Sequence, residues 1–263
     1  MRSPTGKTKP RKTTVVLSVT LVLLVVFSLS FFVIQHAYEF YYETHVRYPI
    51  YGGMTAELKD SELYKDMRSG KSFCFLGDSV TDGNGNECRP WYQPLTPYIK
   101  GERSSLSWGG WMVLSLINNV DKIPAADIYV IAIGVNDAAL PWAGDAAGTS
   151  KEFTERIEKL AILLRSKSPN AKIYFIAPWI YFSEFSENTE RGIQFREALE
   201  VWCGTNDCIY VDSVPVLSSL LGNENRGKYM IDGVHPNTPD GIGLYSYAVL
   251  KADHDRKQKT NYS

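Results

Sequence analysis

Net charge is nearly absent from this chain: 28 basic residues against 29 acidic ones leave −1 at neutral pH. No basic, aromatic-interleaved patch occurs in its body, which excludes nucleic acid as a partner class. Histidine and cysteine number only four each, and no cysteine has the histidine spacing that a zinc site needs. Asp82-Gly83-Asn84-Gly85-Asn86 begins like a calcium loop, but Glu87 stands at its sixth position and Gln93 at its twelfth, where Gly and Glu are required. Gly83 and Gly85 make no dinucleotide fingerprint either, because no third Gly opens a following helix. Neither a metal nor an organic cofactor is expected.

Long apolar runs are also missing, with one exception. Val15 to Ile34 carries no charge and matches the ~20 residues needed to span a bilayer. Arg2, Lys7, Lys9, Arg11 and Lys12 precede it, and His36, Tyr38, Phe40, Tyr41 and Tyr42 follow with Glu39 and Glu43. Basic before and aromatic after predicts a cytoplasmic N-terminus and an extracytoplasmic body. The competing reading is a signal peptide cleaved after Ser28-Leu29-Ser30. Phe31 to Ile34 continue the apolar run past that point, which favours an uncleaved anchor. Four segments follow from this: a cytoplasmic stretch 1–12, a transmembrane helix 13–35, a tether 36–70 with a short helix near Thr55 to Met67, and a globular domain 71–251. Residues 252–263 read as a charged tail. Cys203 and Cys208 flank a short loop that a disulfide could staple outside the cytoplasm, Cys74 reads as a buried small hydrophobe, and the state of Cys88 is open.

The body alternates strand and helix. Strands are expected at Ser72 to Leu76, Ser104 to Ser107, Asp127 to Ile133, Lys172 to Ala177 and Ile209 to Val211. Helices are expected at Trp111 to Asn119, Phe153 to Leu164, Gly192 to Trp202 and Gly241 to Leu250. Phe153, Ile157, Leu160, Ile162 and Leu164 make the second of these amphipathic, starting at Thr149 or Ser150. This order predicts an α/β fold, a three-layer α/β/α sandwich with a mostly parallel, flavodoxin-like sheet. Right-handed crossovers then bring every strand's carboxyl end to one edge. Gly77-Asp78-Ser79, Gly134-Val135-Asn136-Asp137 and Pro178-Trp179 all fall there, where open α/β sheets bind ligands.

Ser79, after a buried strand and before a polar Gly/Asn-rich stretch, is a candidate nucleophile. It needs a base. Of the four histidines, His235 alone belongs to the body, in Asp232-Gly233-Val234-His235-Pro236. A carboxylate three residues earlier in a Gly/Pro loop can orient and stabilise an imidazolium, and imidazole titrates in the range useful to a general base. Asp137 reads as a helix cap or turn residue.

These three segments, in this order, resemble blocks I, III and V of the SGNH/GDSL hydrolases, and the resemblance covers about Lys71 to Leu250. It implies Ser79 as nucleophile, His235 as base and Asp232 as its orienter. It further implies an oxyanion hole formed by the Ser79 N–H, the Asn136 side-chain amide and a block II glycine N–H. Ser107-Trp108-Gly109-Gly110 is the only candidate for block II, and Gly109 is preferred to Gly110.

Aromatics reach 13%, and Trp91, Tyr92, Trp108, Trp142, Trp179, Tyr181 and Phe182 fall in the rim loops, where flat faces suit sugar rings. The expected function is therefore an extracytoplasmic, membrane-tethered O-acyl esterase removing acetyl groups from a cell-envelope or secreted carbohydrate, with an acylated small molecule or polysaccharide as its expected partner. The alternatives are an O-acetyltransferase using the same serine, a lysophospholipase or thioesterase, and a noncatalytic wall-binding module.

Overall fold

The structure, a computed structural model, describes residues 12–42, 46–139, 143–182 and 186–261. The chain divides into two compact units, Met1–Val46 and Arg47–Ser263. In the first, helix α1 (Lys12–Tyr41) is a single 30-residue helix. It contains a 27-residue stretch, Val15–Tyr41, long and apolar enough to cross a membrane, roughly 40 Å at 1.5 Å per residue. The helix thus runs about two turns beyond the expected end at residue 35. The basic residues Arg2 to Arg11 lie outside the described residues, as does Glu43.

In the second unit, strands β1 (Phe73–Gly77), β2 (Arg103–Ser107), β3 (Ile128–Ala132), β4 (Lys172–Ile176) and β5 (Ile209–Val211) form one sheet. Their order is β2-β1-β3-β4-β5 and every pair is parallel, the flavodoxin-like arrangement. The helices are α2 (Ala56–Asp60), α3 (Glu62–Met67), α4 (Ser79–Asp82), α5 (Val113–Asn118), α6 (Val135–Ala139), α7 (Ser150–Lys167), α8 (Ser186–Thr205), α9 (Val214–Leu220), α10 (Arg226–Tyr229) and α11 (Asp240–Asn261). They cover both faces. Phe73, Phe75, Ile128, Val130, Tyr174 and Val211 pack with Leu58, Leu63, Leu217, Leu244 and Val249 on one side. Cys74, Leu76, Tyr129, Ile131, Ile173 and Phe175 pack with Val113, Leu116, Phe153, Ile157, Leu160 and Phe195 on the other. Side chains alternating across a pleated strand thus supply two cores from one sheet, which is why β1 and β3 are apolar at every position.

Three expectations change. The segment expected as a tether is part of the body from residue 47 onward, since Ile50, Leu58, Leu63 and Met67 are core residues. The expected tail, as far as residue 261, is the C-terminal part of α11. Its charges are paired into the fold: buried Asp253 accepts the Leu63 N–H at 2.7 Å, and Arg256 reaches Glu62 at 2.6 Å and Asp253 at 2.8 Å. In α7, capped by Thr149, Ile162 faces outward, and Ala161 takes the inner position instead.

The loop after α4 packs its aromatics under the sheet edge. Phe75 stacks on Tyr92 at 3.9 Å and meets Trp91 edge-on. Phe75→Ala should therefore destabilise the folded chain by about 3–5 kcal/mol, measured by urea denaturation.

Candidate active site

Ser79 is the first residue of α4, directly beyond the end of β1. Asp78 makes this abrupt strand-to-helix turn possible as the N-cap, its Oδ1 accepting the Val80 N–H at 3.0 Å. The serine is left half-buried, with its own N–H free of any intrahelical acceptor, as the first amides of a helix must be.

His235 comes from the opposite end of the sequence, in the loop between α10 and α11. Its Nε2 lies 2.8 Å from Ser79 Oγ and its Nδ1 lies 2.7 Å from Asp232 Oδ2. Asp232 uses its other oxygen on the backbone, Oδ1 accepting the N–H groups of Val234 and His235 at 2.8 Å each. Partial burial works against its ionisation, but those two N–H donors and the imidazole outweigh it and hold the carboxyl below its ordinary range. An ionised Asp232 fixes the proton on Nδ1 and leaves Nε2 with a lone pair toward the hydroxyl. The loop is held from three further sides. Phe182 N–H donates to Gly233 O at 2.8 Å, Tyr245 OH donates to Val234 O at 3.2 Å, and Thr238 N–H donates to Glu87 Oε2 at 2.9 Å.

Asn136 lies in α6, just beyond β3, on the same edge. One amide hydrogen of its Nδ2 goes to Trp111 O at 3.0 Å, which ties the asparagine to the segment after β2. That segment is a β-turn closed by the Trp111 N–H on Trp108 O at 3.2 Å. Gly110 takes φ 76° there, a left-handed conformation that suits glycine. Gly109 is exposed at the turn's second position, and nothing lies within 4 Å of where its Cβ would be. The structure therefore brings Ser79, His235 and Asp232 into one hydrogen-bonded chain. It places Asn136 and Gly109 on the neighbouring strand ends.

Asp137 is not a local cap. It is fully buried, accepting the N–H groups of Val113 at 3.1 Å and Ala147 at 3.2 Å, so it pins the loops on either side of Asn136. Burial pushes its pKa up to about 6, against the pull of those donors and Arg156. Asp78 is pushed further, to about 7, by burial first and by Asp137 in addition.

Of the seven rim aromatics, Trp91, Tyr92 and Trp179 are core residues. Trp91 meets Trp179 edge-on at 5.5 Å and Trp179 packs on Tyr245 at 4.8 Å. Trp108 is 61% exposed beside the turn, Tyr181 and Phe182 are half-buried, and Trp142 lies outside the described residues. All four cysteines are free thiols. Cys208 Sγ faces the Arg165 guanidinium at 3.4 Å rather than a disulfide partner, and Cys203 is buried. In the calcium-like stretch, exposed Asn84 bonds Asp82 and buried Asn86 donates to Val80 O at 2.8 Å.

A parallel α/β sheet here carries a serine, an imidazole and a carboxylate in one hydrogen-bonded chain beyond its strand ends, an arrangement of the kind used in acyl transfer by a serine nucleophile. The chain belongs to the GDSL-like lipase/acylhydrolase family, whose model matches residues 75–239. It is thus a carboxylic ester hydrolase by family. No curated protein matches it in sequence. Among solved structures it is similar to a protein assigned as a GDSL-like lipase from Parabacteroides merdae, at 18% identity and TM-score 0.61, over 71% of this chain and 97% of that one. It is also similar to Axe2, an acetylxylan esterase from Geobacillus stearothermophilus, at 18% identity and TM-score 0.58, over 72% and 96%. A third is LAE5, an α/β hydrolase from the metagenome of Lake Arreo, Spain, at 17% identity and TM-score 0.57, over 70% and 95%.

The raised Asp78 pKa fixes a sign. Between pH ~4 and ~7 the folded state holds this proton and the unfolded state does not, so stability falls as pH rises through that window. Asp78→Asn keeps the capping oxygen and removes the titration. Thermal melts should show the wild type losing stability from pH 5 to pH 8 and the variant losing less.

Proposed function

We propose that the chain is an extracytoplasmic, membrane-tethered O-acetyl esterase acting on a carbohydrate through an acyl-enzyme on Ser79. The observation that carries this reading is the continuous chain Ser79 Oγ, His235 Nε2, His235 Nδ1 and Asp232 Oδ2, with links of 2.8 and 2.7 Å. In this mechanism His235 takes the Ser79 proton as Oγ attacks the ester carbonyl. The negative charge developing on the carbonyl oxygen meets the Ser79 N–H, the free Asn136 amide hydrogen and the Gly109 N–H. Collapse breaks the bond to the sugar oxygen, which leaves with the proton from Nε2. Water then attacks the acetyl group, gives its proton to Nε2, and Ser79 leaves with that proton.

A carbohydrate substrate is supported by Trp108, exposed on the ligand edge, because a flat indole face suits a sugar ring. The acetylxylan esterase activity named for Axe2 points to the same substrate class. The extracytoplasmic placement rests on the basic residues before α1 and the aromatics at its other end.

The test is mass spectrometry of acetylated xylo-oligosaccharides incubated with the full chain. Acetate release is expected, and Ser79→Ala should lower it roughly 10⁴-fold or more. A wild type that releases no acetate from any glycan or aryl ester overturns the proposal. Asn136→Ala should cost ~10²–10³ in kcat. Trp108→Ala should raise KM for the oligosaccharide roughly tenfold while leaving p-nitrophenyl acetate hydrolysis unchanged.

A further inference from the structure

Between the helix that carries Ser79 and the loop that carries His235 stands the short excursion 83–88, to which the mechanism assigns no work. Its main chain is pressed against the base. A Cβ added at Gly85 would stand 2.0 Å from His235 Cδ2, 2.4 Å from Nε2 and 2.7 Å from Cγ, where carbon atoms pack at ~3.5–4.0 Å. No side chain fits, so backbone forms a wall along the ring.

The same excursion grips both neighbours. Asn86 donates from Nδ2 to Val80 O at 2.8 Å, within the nucleophile helix, while its own carbonyl accepts from Thr238 Oγ1 at 2.8 Å. Glu87 Oε2 accepts the Thr238 N–H at 2.9 Å. Glu87 and Cys88 hold left-handed conformations at φ 55° and 64°, which non-glycine residues adopt only at a cost in strain. Tertiary contacts, not local preference, therefore keep this shape.

Building on the function proposed above, we infer that 83–88 is a spacer setting the separation of Ser79 and His235, with Gly85 and Glu87 as positioning residues that act through the imidazole. The need is plain from the reaction. The ring is held at Nδ1 by Asp232 and at Nε2 by Ser79, and the second bond disappears once Oγ is acylated. During deacylation the Gly85 wall still keeps Nε2 aimed at the incoming water.

The test compares wild type, Gly85→Ala, Glu87→Ala and Glu87→Gln as full chains in detergent, with p-nitrophenyl acetate as substrate and a fluorophosphonate as a separate probe of Ser79. Gly85→Ala should lower kcat about 10²-fold, the scale of a 1 Å misplacement, without raising KM. Glu87→Ala should lose about fivefold in kcat, the worth of one hydrogen bond. Glu87→Gln, whose amide oxygen still accepts from Thr238, should stay within about twofold of wild type by the same measure. Labelling rates should follow the same order.

A folded Gly85→Ala variant with wild-type kcat, or with its whole loss in KM, overturns the inference. So do equal rates for the two Glu87 variants, and that pair decides the matter if Gly85→Ala does not fold. A wild type that labels at Ser79 but cleaves no ester defeats the functional reading while the labelling order still tests the spacer. Absence of labelling defeats both.

Discussion

The contact between Ser79 Oγ and His235 Nε2 joins two residues 156 positions apart, and most of what surrounds it holds that one distance. Ser79 is placed by the sheet, because β1 is paired in register with β2 on one side and β3 on the other. His235 has no strand beneath it. It depends on a loop whose polar groups are satisfied in turn by Asp232, Phe182, Tyr245 and Glu87. One partner is rigid by secondary structure and the other by accumulated side-chain and backbone bonds.

Beneath this pair the protein is tightly buried and aromatic. Trp91, Trp179 and Tyr245 pack against one another, and Asp78 and Asp137 are fully buried. A carboxylate next to the nucleophile would oppose negative charge forming at the reacting carbonyl. Burial raises the Asp78 pKa to about 7, so below that pH its capping bond is retained without that opposition. Asp232, exposed and supplied with N–H donors, ionises readily. Environment alone separates the behaviour of these carboxyl groups.

Much of this was legible in the sequence because it was written in short local patterns. Gly77-Asp78-Ser79, Gly134-Val135-Asn136-Asp137 and Asp232 to His235 each end or follow a recognisable element, and strand–helix alternation puts them on one edge. What stayed hidden was tertiary. Nothing in the spacing of Trp91 or Trp179 separates an inward loop aromatic from an outward one, and only the fold singles out Trp108 as exposed. Asp137 looked like a cap because its two acceptor bonds go to Val113 and Ala147, far along the chain. Gly85 sits in a run of alternating Asn and Gly that matches neither a calcium loop nor a dinucleotide fingerprint, and a steric requirement there is not visible in the spacing. The charged residues after Ala252 looked like a tail until Leu63 and Glu62 appeared as their partners.

The edge strand β2 pairs with β1 alone, and its residues are exposed or half-buried. The turn bearing Trp108 and Gly109 hangs from this margin, while the serine and imidazole are anchored deeper in the sheet and in the α10–α11 loop. On the proposed function, recognition and proton transfer belong to separable parts of the molecule. On that reading, a change along the margin retunes which alcohol is accepted while the chemical pair stays as it is.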